Sequence, residues 1–239
     1  MAPVERCNLL ILGVFPTGEH AKVVHAYTDR FGLQRYYLYG THGKSSVVRP
    51  AHLLPLTFLE AVVTRKGRGQ LEQIREVRSL DAHAPRHPLT QSVAMLVAEI
   101  WSNALREGES DEGFYTDALL WRAQLVASPS PSPMAVVEAL LLLLEHLGLD
   151  CSPPAEPFWM DLREGLFSPH PPVHPDHLAP EVVQVWGEWA VHASLPPQPY
   201  RSQLVDGLIR YLEVQLTGFK PPKSLPLVRL LSDDRPAGL

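Results

Sequence analysis

The sequence predicts an α+β protein: a small five-stranded β-barrel over residues 1–80, followed by an all-α region over residues 81–239. Three observations carry this. Five short runs rich in β-branched and aromatic residues fit within the first 80 residues, separated by turns bearing glycine or proline. Beyond Pro88, apolar residues recur at three- and four-residue intervals, the period of helices with one buried face. The charge divides at the same place. Residues 1–88 hold 12 Lys+Arg against 7 Asp+Glu, a surplus of five, with 6 histidines; residues 89–239 hold 9 against 19, a deficit of ten. The net charge of −5 therefore sums a basic front and an acidic remainder, the asymmetry expected of a polyanion-binding module joined to a scaffold.

The first strand is Asn8–Phe15, closed by Pro16-Thr17-Gly18. His20–Thr28 resumes with Val23, Val24 and Tyr27 and stops at Asp29-Arg30-Phe31-Gly32. Leu33–Tyr39 is aromatic-rich and ends at Gly40. A polar stretch, Thr41–Pro50, precedes a long run from Leu53 to Thr64 that reads as the fourth strand. Arg65-Lys66-Gly67-Arg68-Gly69 is a basic turn, and Gln70–Ser79 is the fifth. There Leu71, Gln73, Arg75 and Val77 fall on one face, with Glu72, Ile74, Glu76 and Arg78 on the other, an imperfect alternation that predicts a half-buried side. This pattern suits an OB-fold; an SH3-like barrel would produce a similar one.

In the helical region, Val93, Leu96, Val97, Ile100, Trp101, Ala104 and Leu105 form one stripe that ends at Gly108. Asp111–Val126 is a second helix, with Phe114, Ala118, Trp121 and Leu125 aligned. Ser128-Pro129-Ser130-Pro131-Ser132-Pro133 breaks the chain. Met134–Leu147 is apolar nearly all round, as a central buried helix is, with Gly148 as its cap. Residues 149–178 are proline-rich and read as irregular. Pro180–Ala193 and Tyr200–Leu216 complete the helices, and the packing of Gly218–Leu231 is left open.

Composition excludes several classes. Cys7 and Cys151 can build neither a disulfide framework nor a four-cysteine zinc site. No signal peptide is evident, and the apolar run Leu140–Leu144 is far too short to span a bilayer. The expectation is a soluble cytoplasmic protein without metal or cofactor. Gly40-Thr41-His42-Gly43-Lys44-Ser45 superficially resembles a phosphate-binding loop. It has two residues between its glycines where four are needed, and no helix start follows, so a basic loop touching a phosphate backbone is the better reading. His170, His174 and His177, near Asp176, lie in a proline-locked segment expected to be an exposed loop rather than a metal site. No nucleophile, metalloprotease or paired-carboxylate motif stands out, and no enzyme is expected. What remains is a set of cations, Arg30, Arg35, Lys44, Arg49, Arg65, Lys66, Arg68, Arg75 and Arg78, interleaved with Tyr27, Phe31, Tyr36, Tyr37 and Tyr39. Single-strand-binding barrels use this combination, with cations along phosphates and rings stacked on bases. Of the adjacent Tyr36 and Tyr37, one should point into the barrel and one out.

The segments also follow a familiar order. Thr28-Asp29-Arg30-Phe31-Gly32-Leu33, then Tyr39-Gly40 ahead of Lys44-Ser45, resembles the T-x-x-x-G-L…G…K-S stretch of the bacterial RecO family. Leu54-Pro55-Leu56 with Leu59, then Arg65-Lys66, Leu71, Ile74 and Glu76, is similar to that family's fourth and fifth strands. Phe158–Phe167, with Asp161-Leu162-Arg163-Glu164-Gly165, resembles the segment after the family's zinc-binding region. Leu204–Leu216, Gly218-Phe219 and Lys223-Ser224-Leu225 resemble the close of its zinc-free members. The resemblance implies an N-terminal OB-fold that binds single- and double-stranded DNA, and a helical domain that takes the acidic tail of single-stranded DNA-binding protein (SSB). It implies strand annealing and RecA loading together with RecR, sometimes with RecF. Arg210, Lys220 and Lys223 are the cations expected to meet the SSB tail. Only Cys151 lies where many members carry four cysteines, so a zinc-free member is expected.

Overall fold

The computed structural model describes residues 3–17, 21–39, 49–64, 72–80, 87–149 and 151–231. The chain forms two compact units, Met1–Ser130 and Pro131–Leu239. The change from strands to helices falls near residues 80–88, whereas the first unit continues through two helices beyond it.

Five strands build the first unit: β1 (Val4–Pro16), β2 (Ala21–Thr28), β3 (Gly32–Tyr39), β4 (Phe58–Thr64) and β5 (Glu72–Ser79). They close into a barrel in the order β1-β2-β3-β5-β4. All pairings are antiparallel except β3 with β5, which run parallel through Tyr36↔Glu72 and Tyr37↔Gln73. The long β1 serves two neighbours, pairing with β4 over Val4–Leu10 and with β2 over Leu9–Pro16. Leu9, Ile11, Val24, Ala26, Tyr36, Leu38, Leu59, Ala61, Val63 and Ile74 fill the interior together with Cys7. Burial pushes the Cys7 thiol up to about 12, so it stays protonated and behaves as a small apolar side chain.

Two bulges set which residues face out. In β1 the register steps between Ile11 and Gly13, leaving Leu12 as the extra residue. Strict alternation from Ile11 would turn Phe15 inward; the bulge instead sends Val14 toward the interior and Phe15 to the outer face. In β5, Ile74 opposes Val63 and Glu76 opposes Val62, so Arg75 is the extra residue. Ile74 and Val77, which simple alternation puts on opposite faces, both reach the interior for this reason. The expected long strand from Leu53 is shorter than predicted. Pro50–Leu53 is a single 3-10 turn, Leu54–Leu56 turn again with Leu56 at φ 59°, and β4 begins at Phe58. The cause is local, since Pro50 and Pro55 lack the N–H groups a ladder needs.

Two helices cover one end of the outer barrel surface. α1 (Pro88–Ala104) starts with proline at its first position and packs against β1. α2 (Glu112–Ala127) is capped by Asp111, whose carboxylate accepts from the Phe114 amide at 3.0 Å. Leu10 and Leu12 face outward yet are fully buried on the strand that meets α1, and Tyr27 lies beneath Phe114 and Tyr115. The Asp111 amide donates to the Tyr27 hydroxyl at 2.9 Å, and the buried Arg122 donates to the Leu56 carbonyl. Between the helices, Glu107 bridges to Leu33 in parallel register and the Gly108 amide donates to the Leu33 carbonyl at 2.9 Å. A Cβ on Gly32 (φ 64°) would sit 1.8 Å from the Glu109 carbonyl oxygen, so the closeness of this segment requires glycine there.

The second unit contains α3 (Ala135–His146), α4 (Pro180–His192), α5 (Gln198–Gln215) and α6 (Leu225–Leu231). α6 resolves the stretch whose packing the sequence left open. Residues 149–178, read as irregular, also hold a three-stranded antiparallel sheet, β6 (Trp159–Asp161), β7 (Leu166–Ser168) and β8 (His177–Leu178), in the order β7-β6-β8. Strands of two or three residues are too short to show a period. A tight turn shapes the hairpin: Asp161 Oδ1 accepts from the amides of Arg163 (2.8 Å) and Glu164 (3.1 Å), and Gly165 takes φ 67°. Gly207 of α5 lets β8 approach so closely that a Cβ there would lie 2.1 Å from Leu178.

Candidate nucleic-acid interface

The outer surface of β1, β2 and β3 has a covered end and an open end. At the covered end, Leu10, Tyr27 and Leu33 lie under the helices and the 105–111 segment. At the open end, cross-strand register brings together Phe15, Val23 and Tyr37, with Tyr39 opposite Ala21. Tyr37 and Tyr39, two residues apart on one face of β3, stack on each other with centroids 5.4 Å apart and planes 16° from parallel. Tyr39 is 55% exposed and Phe15 51%, which is unusual for rings of this size. Phe15 leans on the His25 ring at 4.7 Å. Burial, then the nearby Arg35 cation, lowers the His25 pKa, and its Nδ1 lies 3.3 Å from the Ser102 hydroxyl.

The adjacent tyrosines divide as alternation requires. Tyr36 is wholly buried in the barrel and Tyr37 faces out. Two other rings from the sequence set are committed elsewhere: Tyr27 is buried under α2, and Phe31 packs against the barrel core beneath the Arg30 guanidinium, 5.0 Å from its centroid. Sequence reasoning missed Phe15 and His25. Alternation was the only available signal, and along β1 the bulge at Leu12 inverts it.

The cations are more occupied than their number implies. Arg35, on the outer face of β3, makes a two-point contact with Glu107, Nε to Oε1 at 3.1 Å and Nη2 to Oε2 at 2.7 Å. Arg30 meets Glu5 at 3.1 Å and donates to the Arg6 carbonyl; Arg6 itself lies 3.6 Å from Glu60. Arg75 is exposed at its bulge and donates to the Thr64 hydroxyl, while Arg49 is exposed ahead of the 3-10 turn. These four candidates are thus dispersed, Arg35 and Arg75 on β3 and β5, Arg30 between β2 and β3, and Arg49 just before the 3-10 turn. Lys44, Arg65, Lys66 and Arg68 lie outside the described residues, as does the Gly40–Ser45 motif. The connections that carry them leave from Tyr39 and Thr64 and rejoin at Arg49 and Glu72, and Glu72 pairs beside Tyr36.

In the second unit, Arg210 of α5 is held by Asp176 at 2.9 Å and Glu213 at 3.0 Å, and Arg163 reaches the other Asp176 oxygen at 2.7 Å. Lys220 and Lys223 are exposed between α5 and α6. The histidine segment is more ordered than the exposed loop expected of it. His170 is exposed, but His174 is largely buried with Nε2 at 3.2 Å from Asp161, and His177 Nδ1 donates to the His174 carbonyl at 2.8 Å while its ring meets that of Trp159 in a T-shaped contact at 4.8 Å. Among the described residues, no group of three or more His, Cys, Asp or Glu is placed to hold a metal, and no helix is long and apolar enough to cross a membrane.

A closed five-stranded barrel with an open aromatic patch on its first three strands, backed by helices, defines an OB-type protein with a ring-lined outer face. Residues 1–83 match the family described as "Recombination protein O N terminal". Over 94% of its length the chain is 27% identical to the DNA repair protein RecO of Flavobacterium psychrophilum, covering 97% of that protein. It is 30% identical over 109 residues to the DNA repair protein RecO of Christiangramia forsetii, 44% of this chain and 46% of that one. Residues 1–83 thus carry the family's N-terminal domain, and the chain is similar to RecO proteins over nearly its whole length.

Proposed function

We propose that this protein is a non-enzymatic mediator of DNA repair and recombination. In this reading it binds single- and double-stranded DNA on the open outer face of β1–β3, anneals complementary strands, and helps load RecA on SSB-coated gaps together with RecR. The observation that carries the reading is the open patch of Phe15, Tyr37 and Tyr39. Lys44 follows Tyr39 of this patch in the chain, and Arg65, Lys66 and Arg68 follow Thr64, whose cross-strand partner Gln73 pairs with Tyr37. Rings can stack on bases without regard to sequence, and cations can follow the phosphates. Two strands held beside shared cations repel each other less, so pairing becomes easier than in free solution. No bond is made or broken. Family resemblance adds the SSB tail on the second unit, with Lys220 and Lys223 near it, RecF as an occasional partner, and a cytoplasmic, nucleoid-associated setting. Both named relatives are DNA repair proteins.

The test is annealing of complementary oligonucleotides coated with SSB. The protein should speed pairing, and Tyr37→Ala with Tyr39→Ala should weaken single-strand binding by about 1–3 kcal/mol per lost stack. A protein that covers single strands without ever accelerating pairing would instead be a plain single-strand-binding OB module. ATP binding in calorimetry would redirect attention to Gly40–Ser45 and an enzymatic role.

A further inference from the structure

We infer that Glu107 is a built-in competitor for DNA: it occupies the Arg35 guanidinium as a phosphate would, and so withholds from the strand a cation that would otherwise meet its phosphates. The inference rests on the reading of the β1–β3 face as the DNA site.

Four observations carry it. First, Arg35 shares the outer face of β3 with Tyr37 and Tyr39, and lies opposite His25 in register. Second, the contact uses two of its donors on two carboxylate oxygens, at 3.1 and 2.7 Å, the fork geometry with which arginine also grips phosphate. Third, Glu107 is placed there by its backbone. The Glu107–Leu33 bridge, the Gly108 amide on the Leu33 carbonyl and the absence of a side chain at Gly32 all hold the 105–109 segment against β3. Fourth, the pair is half exposed, at 50% and 49% for the two side chains, so water and salt weaken it and an incoming phosphate can reach it. A buried pair would lock Arg35 away; an exposed one makes it conditional.

Other carboxylates meet barrel arginines, but their placement differs. Glu5 and Glu60 engage Arg30 and Arg6 around the start of β1. Glu107 alone among these partners comes from outside the five strands and faces an arginine on the aromatic-bearing strand. The consequence is a lower affinity than the cation count implies, together with fast release. Both suit a protein that must let go of a duplex once it has formed.

The experiment is a salt titration of single-strand binding by the full chain and by Glu107→Gln, Arg35→Ala and the double variant. Gln keeps the backbone contacts and the side-chain shape while removing the charge. Glu107→Gln should bind about five-fold tighter near 0.1 M salt, with a log–log salt slope steeper by about 0.7, the value for one added phosphate contact on a single strand. Arg35→Ala alone should change little, and the gain should vanish in the double variant. An equal gain in the Arg35→Ala background would mean that only net charge matters and would overturn the inference, as would no gain at all. Loss of binding in Tyr37→Ala/Tyr39→Ala, measured alongside, keeps the two claims separate. If that pair of rings is indifferent to DNA, the face is wrong; if the rings matter and Glu107→Gln does nothing, only the competitor is wrong.

Discussion

Asp176 is the hub of the polar network that ties β8 to α5. Hydrogen bonds from Arg163 and Arg210 hold its carboxyl below the ordinary carboxylate range. Asp161, one strand away, is also lowered: burial pushes it up, but the amides of Glu164 and Arg163, with His174, more than offset this. A depressed folded-state value contributes stability that is intact above the unfolded value of about 4 and is lost as pH falls through the folded one. The second unit should therefore lose stability as pH falls below about 4. Near-ultraviolet circular dichroism of Trp159 and Trp186 during acid titration would follow the loss. Asp176→Asn should blunt that acid transition, and an identical titration curve would remove Asp176 from the explanation. At the same scale, Arg65→Ala with Lys66→Ala should flatten the salt dependence of single-strand binding by about 1.4, two contacts at about 0.7 each. An unchanged slope would take Arg65 and Lys66 out of the DNA site.

At the level of elements, α2 is fastened to the barrel by Arg122, which is buried and donates to the carbonyl of Leu56 in its left-handed turn. Arg122→Met keeps the apolar bulk and strands that carbonyl, and should cost about 1–3 kcal/mol, read as a lower urea midpoint at constant slope. An unchanged midpoint would mean that the contact holds nothing. The sequence made the helices and most strands legible because their apolar periods are long enough to count. β6, β7 and β8 were not, since three residues show no period. The face of Phe15 was illegible for another reason. A bulge changes the phase of a strand without changing its composition, and nothing in Leu12-Gly13-Val14-Phe15 announces where the extra residue falls. Bulge position also decided Ile74 against Val77. The pairing of Arg35 with Glu107 lay hidden because 72 residues separate the partners. A charge count placed them on opposite sides of the basic-to-acidic divide.

For the whole molecule, the extent of the first unit matters most. The barrel's outer face carries Leu10, Leu12, Tyr27 and Leu33, all nearly free of solvent because α1, α2 and the 105–111 segment lie over them. A fragment of residues 1–83 would expose that surface, at about 1.5–3 kcal/mol for each large apolar side chain returned to water. A fragment of residues 1–130 would keep it covered. The longer fragment should unfold cooperatively and the shorter one should bind hydrophobic dye and lack a sharp transition. Equal cooperativity of the two would show that the barrel is self-sufficient.

The 105–109 segment has a further consequence, for self-association. Among the described residues, barrel closure pairs β3 with β5 at Tyr36 and Tyr37, and Glu107–Gly108 occupies the rim of β3 farther along, at Leu33. An unoccupied rim would offer main-chain donors and acceptors to any passing strand, the usual seed of edge-to-edge aggregation. By lying against that rim, a stretch of chain between two helices covers main-chain groups that a strand of another copy could otherwise pair with.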